Sequence, residues 1–200
     1  MHLAYSRGVD RIWIVNVGDL KPLELPISHF FDMGYDAKLW HVDSTADWTK
    51  AWAAREFGAD VAANISDIVT KFSMYASRRK FEMVEPQTYS VLNYNEADAI
   101  LEQWATLAEA AQAVYDGLDA EAQPAFFQMV LHPILAGEII HKIYIGAAKN
   151  IWYAGQKRNA ANDMINYVLA ASDEDSNLTM RWNKMLDGKW DHMMDRESLH

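Results

Sequence analysis

The sequence predicts a mostly α fold, a helical bundle of five to six antiparallel helices preceded by one β-strand. Three observations predict it. From Ser44 to Leu186 apolar residues recur at steps of three and four, the spacing of helix faces turned toward a shared core. Ile12-Trp13-Ile14-Val15 is instead an unbroken apolar run of the kind buried on both faces inside a parallel sheet. No second run of that kind follows in the 200 residues. A lone buried strand would leave backbone donors and acceptors unpaired at about 1–3 kcal/mol each. The strand is therefore expected to find its neighbours outside these residues, as the tail of a helix–strand unit.

Each element follows from local signals. Leu3 to Gly8 reads as the last turn of a helix, with Arg7 suited to the negative helix end and Gly8 as the cap. The strand follows, and Pro22 stops further pairing. Leu23 to Asp32 carries Leu25, Ile27, Phe30 and Phe31 and reads as a short helix or turn packing back on the strand; Met33 to Val42 reads as a loop. Ser44-Thr45-Ala46-Asp47 resembles a capping box with Asp in place of Glu or Gln, opening a helix through Trp48, Trp52 and Phe57 to Gly58. Val61, Ile65, Ile68, Phe72 and Tyr75 mark the next helix, which ends in the cations Arg78-Arg79-Lys80.

After a connector containing Pro86, Asn93 and Glu96 read as an N-terminal cap. Ala97, Ile100, Leu101, Trp104, Ala108, Ala111 and Tyr115 trace one face of a long helix closed by Gly117. Asp119 opens another that runs through Phe126, Leu131, Ile134 and Ile143 to Ile151, and Pro133 inside it should kink or split it. Helices over 159–171 and 178–186 complete the bundle. Residues 189–200 lack a pattern and are expected to fray, or to link to a further domain. The expected division is 1–43, a terminal helix–strand–helix piece; 44–188, the bundle; and 189–200, a tail.

Composition narrows the function. The net charge is −10 and the pI about 5.1, which argues against a nucleic-acid partner. There are no cysteines, hence neither disulfides nor thiolate chemistry. No long charge-free apolar span suggests a membrane helix. Eight Trp and nine Tyr suit either carbohydrate platforms or an aromatic core, the core being the commoner use.

The strand end is where a parallel α/β fold places ligand chemistry. Asn16, Asp19 and Lys21 gather there around Gly18 and could hold a sugar's hydroxyls and carboxylate; the plain alternative is a turn, which Asn, Asp and Gly also favour. No second carboxylate nearby completes a glycosidase pair. Glu138 and His141 share a Glu-x-x-His spacing found in di-iron bundles, and Glu197 and His200 repeat it at the chain end. No metal or cofactor is assigned from them, because a solvated helix face accounts for the first pair. His132 reads as a kink or surface residue and Glu102 and Glu109 as a charged helix face. Arg78-Arg79-Lys80 could hold an anion, although a helix-end cation cluster is the simpler account. Trp190-Asp191-His192-Met193-Met194-Asp195 sets apolar groups beside polar ones and is expected to pack on something beyond this chain.

Gly8-Val9-Asp10-Arg11-Ile12-Trp13-Ile14-Val15-Asn16-Val17-Gly18-Asp19-Leu20-Lys21-Pro22-Leu23-Glu24 resembles a hallmark segment of the glycoside hydrolase family 115 α-glucuronidases. Lys189-Trp190-Asp191-His192-Met193-Met194-Asp195 resembles a second, and 65–72 and 77–80 are also similar to that family. The resemblance implies a large multi-domain parent with a (β/α)-barrel catalytic domain, a helical bundle and a β-rich C-terminal domain. It implies inverting release of glucuronic or 4-O-methylglucuronic acid from xylan side chains. The lone strand would then be a late barrel strand, left over from the (β/α) barrel. Asn16, Asp19 and Lys21 would line the sugar pocket, with the catalytic carboxylates mostly upstream. On this reading the partner is glucuronoxylan or its oligosaccharides, and the chain alone is inactive. The competing expectation is a non-catalytic interaction module whose first strand pairs with a partner or, as a homodimer, with a second copy.

Overall fold

The structure, a computed structural model, describes residues 1–195. It is helical nearly throughout, and no strand occurs among the described residues. The helices are α1 His2–Ser6, α2 Glu24–Tyr35, α3 Thr45–Phe57, α4 Ala62–Ala76, α5 Glu96–Gly117, α6 Gln123–Phe126, α7 His132–Gly155 and α8 Ala160–Gly188. The chain divides into two compact units, Met1–Thr70 with Val114–Val130 and Lys71–Ala113 with the residues from Leu131 onward.

In the first unit α1 closes as the sequence anticipates. Gly8, at φ +90°, donates to the Tyr5 carbonyl, and Val9 donates to that of Ala4, the paired bonds of a glycine-closed helix end. The segment expected as a strand forms no ladder. Ile12, Ile14 and Val15 are exposed, the two isoleucines at 76% and 82%, whereas Trp13 turns inward. The Trp13 indole donates to the Val9 carbonyl at 2.6 Å and meets Tyr5 edge-on and Phe30 of α2. A strand needs a second backbone to satisfy its polar groups, and among the described residues none pairs with this segment. Helix α2 runs three residues past the expected Asp32, to Tyr35.

The expected capping box does not form at α3. Ser44 Oγ donates backwards to the Leu39 and His41 carbonyls, and Thr45 Oγ1 to that of Val42. A short 3-10 turn, Val42–Ser44, leads into the helix instead, begun by His41, whose Nδ1 accepts from the Asp43 amide. Three-residue turns commonly precede an α-helix and consume the hydroxyls that a cap would use. Trp48, Trp52 and Ala53 of α3 are buried, and Phe57 stands edge-on to both Trp52 and Phe126.

In the second unit Trp104 of α5 is fully buried among the rings of Phe72, Tyr75, Phe81 and His141. Gly137 of α7 permits this, since a Cβ there would lie 2.6 Å from the indole. Gly146 similarly admits Tyr167 and Val168 of α8. The pairing of α7 with α8 explains a second departure from expectation. Residues 172–177 are poor helix formers, yet α8 runs through them unbroken. Lys142 of α7 bonds Glu174 there at 3.0 Å, and Ser176 Oγ bonds the Ser172 carbonyl within the helix. Tertiary contact overrides weak local propensity.

The break expected at Pro133 appears just before it, as a π turn over Phe127–Leu131 between α6 and α7. Proline has no N–H to give the carbonyl four residues back, and a wider turn accommodates the loss. Past α8 the 189–195 segment does not fray. Met185, Leu186 and Asp187 leave helical geometry, and the chain folds back so that buried Asn183 donates to Asp195 at 2.6 Å and accepts from the Met194 amide. His192 meets the other Asp195 oxygen at 2.6 Å, a bond that raises the imidazole's pKa and lowers the carboxylate's.

Gly137→Ala is expected to destabilise the protein by about 1–3 kcal/mol in urea unfolding, the cost of overpacking. Gly155→Ala, where an added Cβ meets open space, should be neutral or stabilising. Equal effects at the two sites would refute the packing role given to Gly137.

Candidate functional site

The proposed site residues lie in the first unit, on the turn that carries the chain from the extended segment into α2. Gly18 adopts φ +69°, which glycine accepts without strain. The Leu23 amide then bonds the Leu20 carbonyl at 2.8 Å, and the Lys21–Pro22 peptide is cis. Asn16 and Asp19 are exposed on this turn.

Lys21 has a different place from the one its sequence suggests. It is not an open cation: its Nζ donates to Glu24 Oε1 at 2.7 Å and to Gln128 Oε1 at 2.8 Å. Gln128 is 2% exposed and sits in the π turn. The lysine thus fastens the turn to α2 and to the segment before Pro133. The remaining Gln128 nitrogen and Glu24 oxygen are buried without hydrogen bonds among the described residues. Buried polar atoms of this kind normally carry a bound water or polar group.

A second polar group lies further along α2. His29 stacks on Trp48 at 4.4 Å, and the Trp48 indole donates to Asp32 at 2.8 Å. Burial lowers the His29 pKa, opposed by the Asp32 carboxylate, so the ring is neutral at pH 7.

In the second unit Glu138 and His141 are buried, at 9% and 1% exposure, which corrects the expectation of a solvated helix face. Glu138 pairs with Lys142 at 3.0 Å. His141 Nδ1 lies 2.6 Å from the Gly137 carbonyl and must donate to it, so Nε2 accepts from the Tyr89 hydroxyl at 3.4 Å. Burial lowers the His141 pKa, partly offset by the Gly137 bond, and keeps the ring neutral. Among the described residues no three metal-ligating side chains converge. Glu197 and His200 lie outside the described residues. Within those residues no helix is long and apolar enough to cross a membrane.

With this geometry in place, likenesses to known proteins can be set beside it. The sequence signature of glycosyl hydrolase family 115 matches residues 1–83. A solved family 115 4-O-methyl-α-glucuronidase with specificity for decorated arabinogalactans has a TM-score of 0.74 and 26% identity to the chain. Both likenesses point to glycoside hydrolase family 115. The likeness to that structure covers 96% of this chain and 26% of the other, so the chain spans about a quarter of its length. No curated protein sequence matches the chain.

Sequence reasoning missed Gln128, His29 and Glu24. Gln128 carried a usable signal, as the single polar residue in the run Phe126-Phe127-Gln128-Met129-Val130-Leu131. His29 carried none, because its surroundings come from α3.

Two outcomes test these assignments. Gln128→Leu should speed amide exchange over 18–23 and cost about 1–3 kcal/mol, whereas Gln128→Glu, which keeps an acceptor, should preserve protection. Exchange unchanged in the leucine variant would remove the fastening role. For His141, the folded pKa lies below its ordinary 6.5, so its stabilisation is full above that pH and is lost as pH falls through the lowered value. His141→Phe should flatten the loss of stability between about pH 7 and 5 relative to the parent protein; an unchanged slope would contradict a neutral buried ring.

Proposed function

We propose that this chain supplies a family 115 α-glucuronidase with its helical bundle and with one edge of the pocket that receives the terminal uronic acid. The observation that carries the reading is the family match over 1–83, which contains the strand-end residues, joined to a glucuronidase likeness that continues through the helices. On this reading 1–43 complete a (β/α)-barrel domain, 44–188 form the bundle and 189–200 lead onward. The Ile12–Val15 segment becomes a barrel strand once other backbone pairs with it. Its outward isoleucines support this, since apolar side chains exposed at that level suit a surface that another part of the enzyme covers.

Asn16 and Asp19 then contact sugar hydroxyls, and Lys21 holds their turn in position. Inverting hydrolysis needs a carboxylic acid that protonates the leaving glycosidic oxygen. It also needs a carboxylate that activates water on the opposite face, about 6.5–9.5 Å away. Neither role is assigned to a residue here, and the chain by itself is expected to be inactive. The leaving polymer is xylan in our reading; the solved relative has specificity for decorated arabinogalactans. What the two readings share is 4-O-methylglucuronic acid as the released sugar.

The test is to incubate the chain with glucuronoxylan and with arabinogalactan and assay free uronic acid. No release is expected from either. Turnover abolished by Asp19→Ala would overturn the reading and make Asp19 a catalytic group. A monodisperse complex in sedimentation that buries Ile12 and Ile14 would instead favour the interaction-module reading.

A further inference from the structure

The second unit carries a cleft of about 610 Å³ that the proposed pocket does not use. Arg78 and Arg79, on the turn just past α4, line one side, and Gln87, Thr88 and Tyr89 of the following connector line another. A second cleft of about 390 Å³ shares Gln87, Thr88, Tyr89 and Glu96 with the first and extends to Trp152 on α7. The two clefts border the same connector residues, one cationic and the other aromatic, and are together called the groove.

The polar end is a built arrangement. Arg78 lies over the Tyr75 ring at 4.4 Å and donates to Gln103 at 2.6 Å, which fixes its guanidinium. Arg79 Nε donates to the Met83 carbonyl at 3.0 Å, which orients the fork while using one of its five N–H groups. Tyr89 is buried, and its hydroxyl is steadied from below by His141. Burial raises its pKa, with Arg78 and Arg79 pulling the other way, so the hydroxyl stays protonated. Its one proton goes to His141. The Thr88 hydroxyl accepts from the Glu85 amide, and Glu96 accepts from the Ser90 amide, so the connector walls are held by their own backbone.

The mixture of groups selects among ligands. Two guanidiniums suit a planar carboxylate, which they bind in bidentate fashion. Glu85 and Glu96 in the same cleft disfavour a bare polyanion such as phosphate, and they offer acceptors to hydroxyl donors. A carboxylate-bearing polyol satisfies both halves of that requirement. Trp152, 38% exposed at the apolar end beside Leu92 and Ile151, offers a ring face on which an adjoining neutral sugar can lie.

We propose that this groove is a second, non-catalytic saccharide site that binds a uronosyl unit at Arg78 and Arg79 and the neighbouring neutral sugar on Trp152. The identity of the sugar rests on the glucuronidase reading; the site itself rests on the groove. It would keep an acidic side chain of a polysaccharide on the enzyme between hydrolytic events.

The experiment is a titration of the full 200-residue chain, followed by amide chemical shifts. The probes are a 4-O-methylglucuronosyl xylotriose, free glucuronate, neutral xylotriose and inorganic phosphate. The acidic oligosaccharide is expected to move Thr88, Tyr89, Glu96 and the Trp152 indole, and to bind more tightly than the other three. Arg78→Gln with Arg79→Gln should weaken it about tenfold or more, as expected for hydrogen bonds to a charged group. Trp152→Ala should weaken the oligosaccharide about threefold to tenfold and leave free glucuronate unchanged. Unaltered far-ultraviolet dichroism and Trp104 ring shifts confirm that each variant is folded. Phosphate binding as tightly as the oligosaccharide overturns the inference, as does equal binding of neutral xylotriose. Shifts confined to Asn16 and Asp19 also overturn it while leaving the strand-end reading intact. Shifts in the groove alone sustain it even if the strand-end reading fails.

Discussion

The second unit depends on how closely one indole approaches one helix. Trp104 has no accessible surface, and Gly137 of α7 leaves room for its six-membered ring, so α5 and α7 approach at a distance that a single methyl group would forbid. On the same indole lies the His141 imidazole, 5.0 Å away and nearly parallel. The histidine is neutral because it is buried, and it is oriented because the Gly137 carbonyl takes its one proton. It therefore presents a fixed lone pair to Tyr89. A packing constraint becomes a polar one in two steps, and the floor of the groove inherits its rigidity from the core.

How much of this was legible in the sequence varied with the range of the interactions. Helices α3, α4 and α5 are legible from periodicity because each buries one apolar face, and Gly58 and Gly117 end α3 and α5 as expected. Local chemistry was less reliable wherever one group had two available partners. Ser44 had the sequence of a cap and spent its hydroxyl on preceding carbonyls instead. The Ser- and Asp-rich stretch at 172–177 looked like a break, and contact with α7 carried α8 across it.

The candidate site shows the same limit. Asn16, Asp19 and Lys21 are close in sequence and were read as equals. The structure separates them, leaving two exposed and giving the third to Glu24 and to Gln128, 107 residues away. A contact at that separation leaves no trace in local spacing. The Arg78–Arg79 pair reads as a helix-end cluster, but α4 stops at Ala76 and the pair lies on the turn beyond it; that this turn also borders a groove follows only from the placement of the Tyr89 connector and α7.

The π turn before Pro133 carries a consequence for how this sequence tolerates change in length. A π turn holds one residue more than the α turn it replaces, and one residue corresponds to about 100° of rotation on a helix. Deleting one residue of 129–131 would let the helix regularise and would leave Gln128 itself in place. It would also swing Gln128 away from the lysine it now faces. The register of a single carboxamide is thus stored in the length of the segment, and a one-residue deletion would erase it without any substitution at the residues it joins.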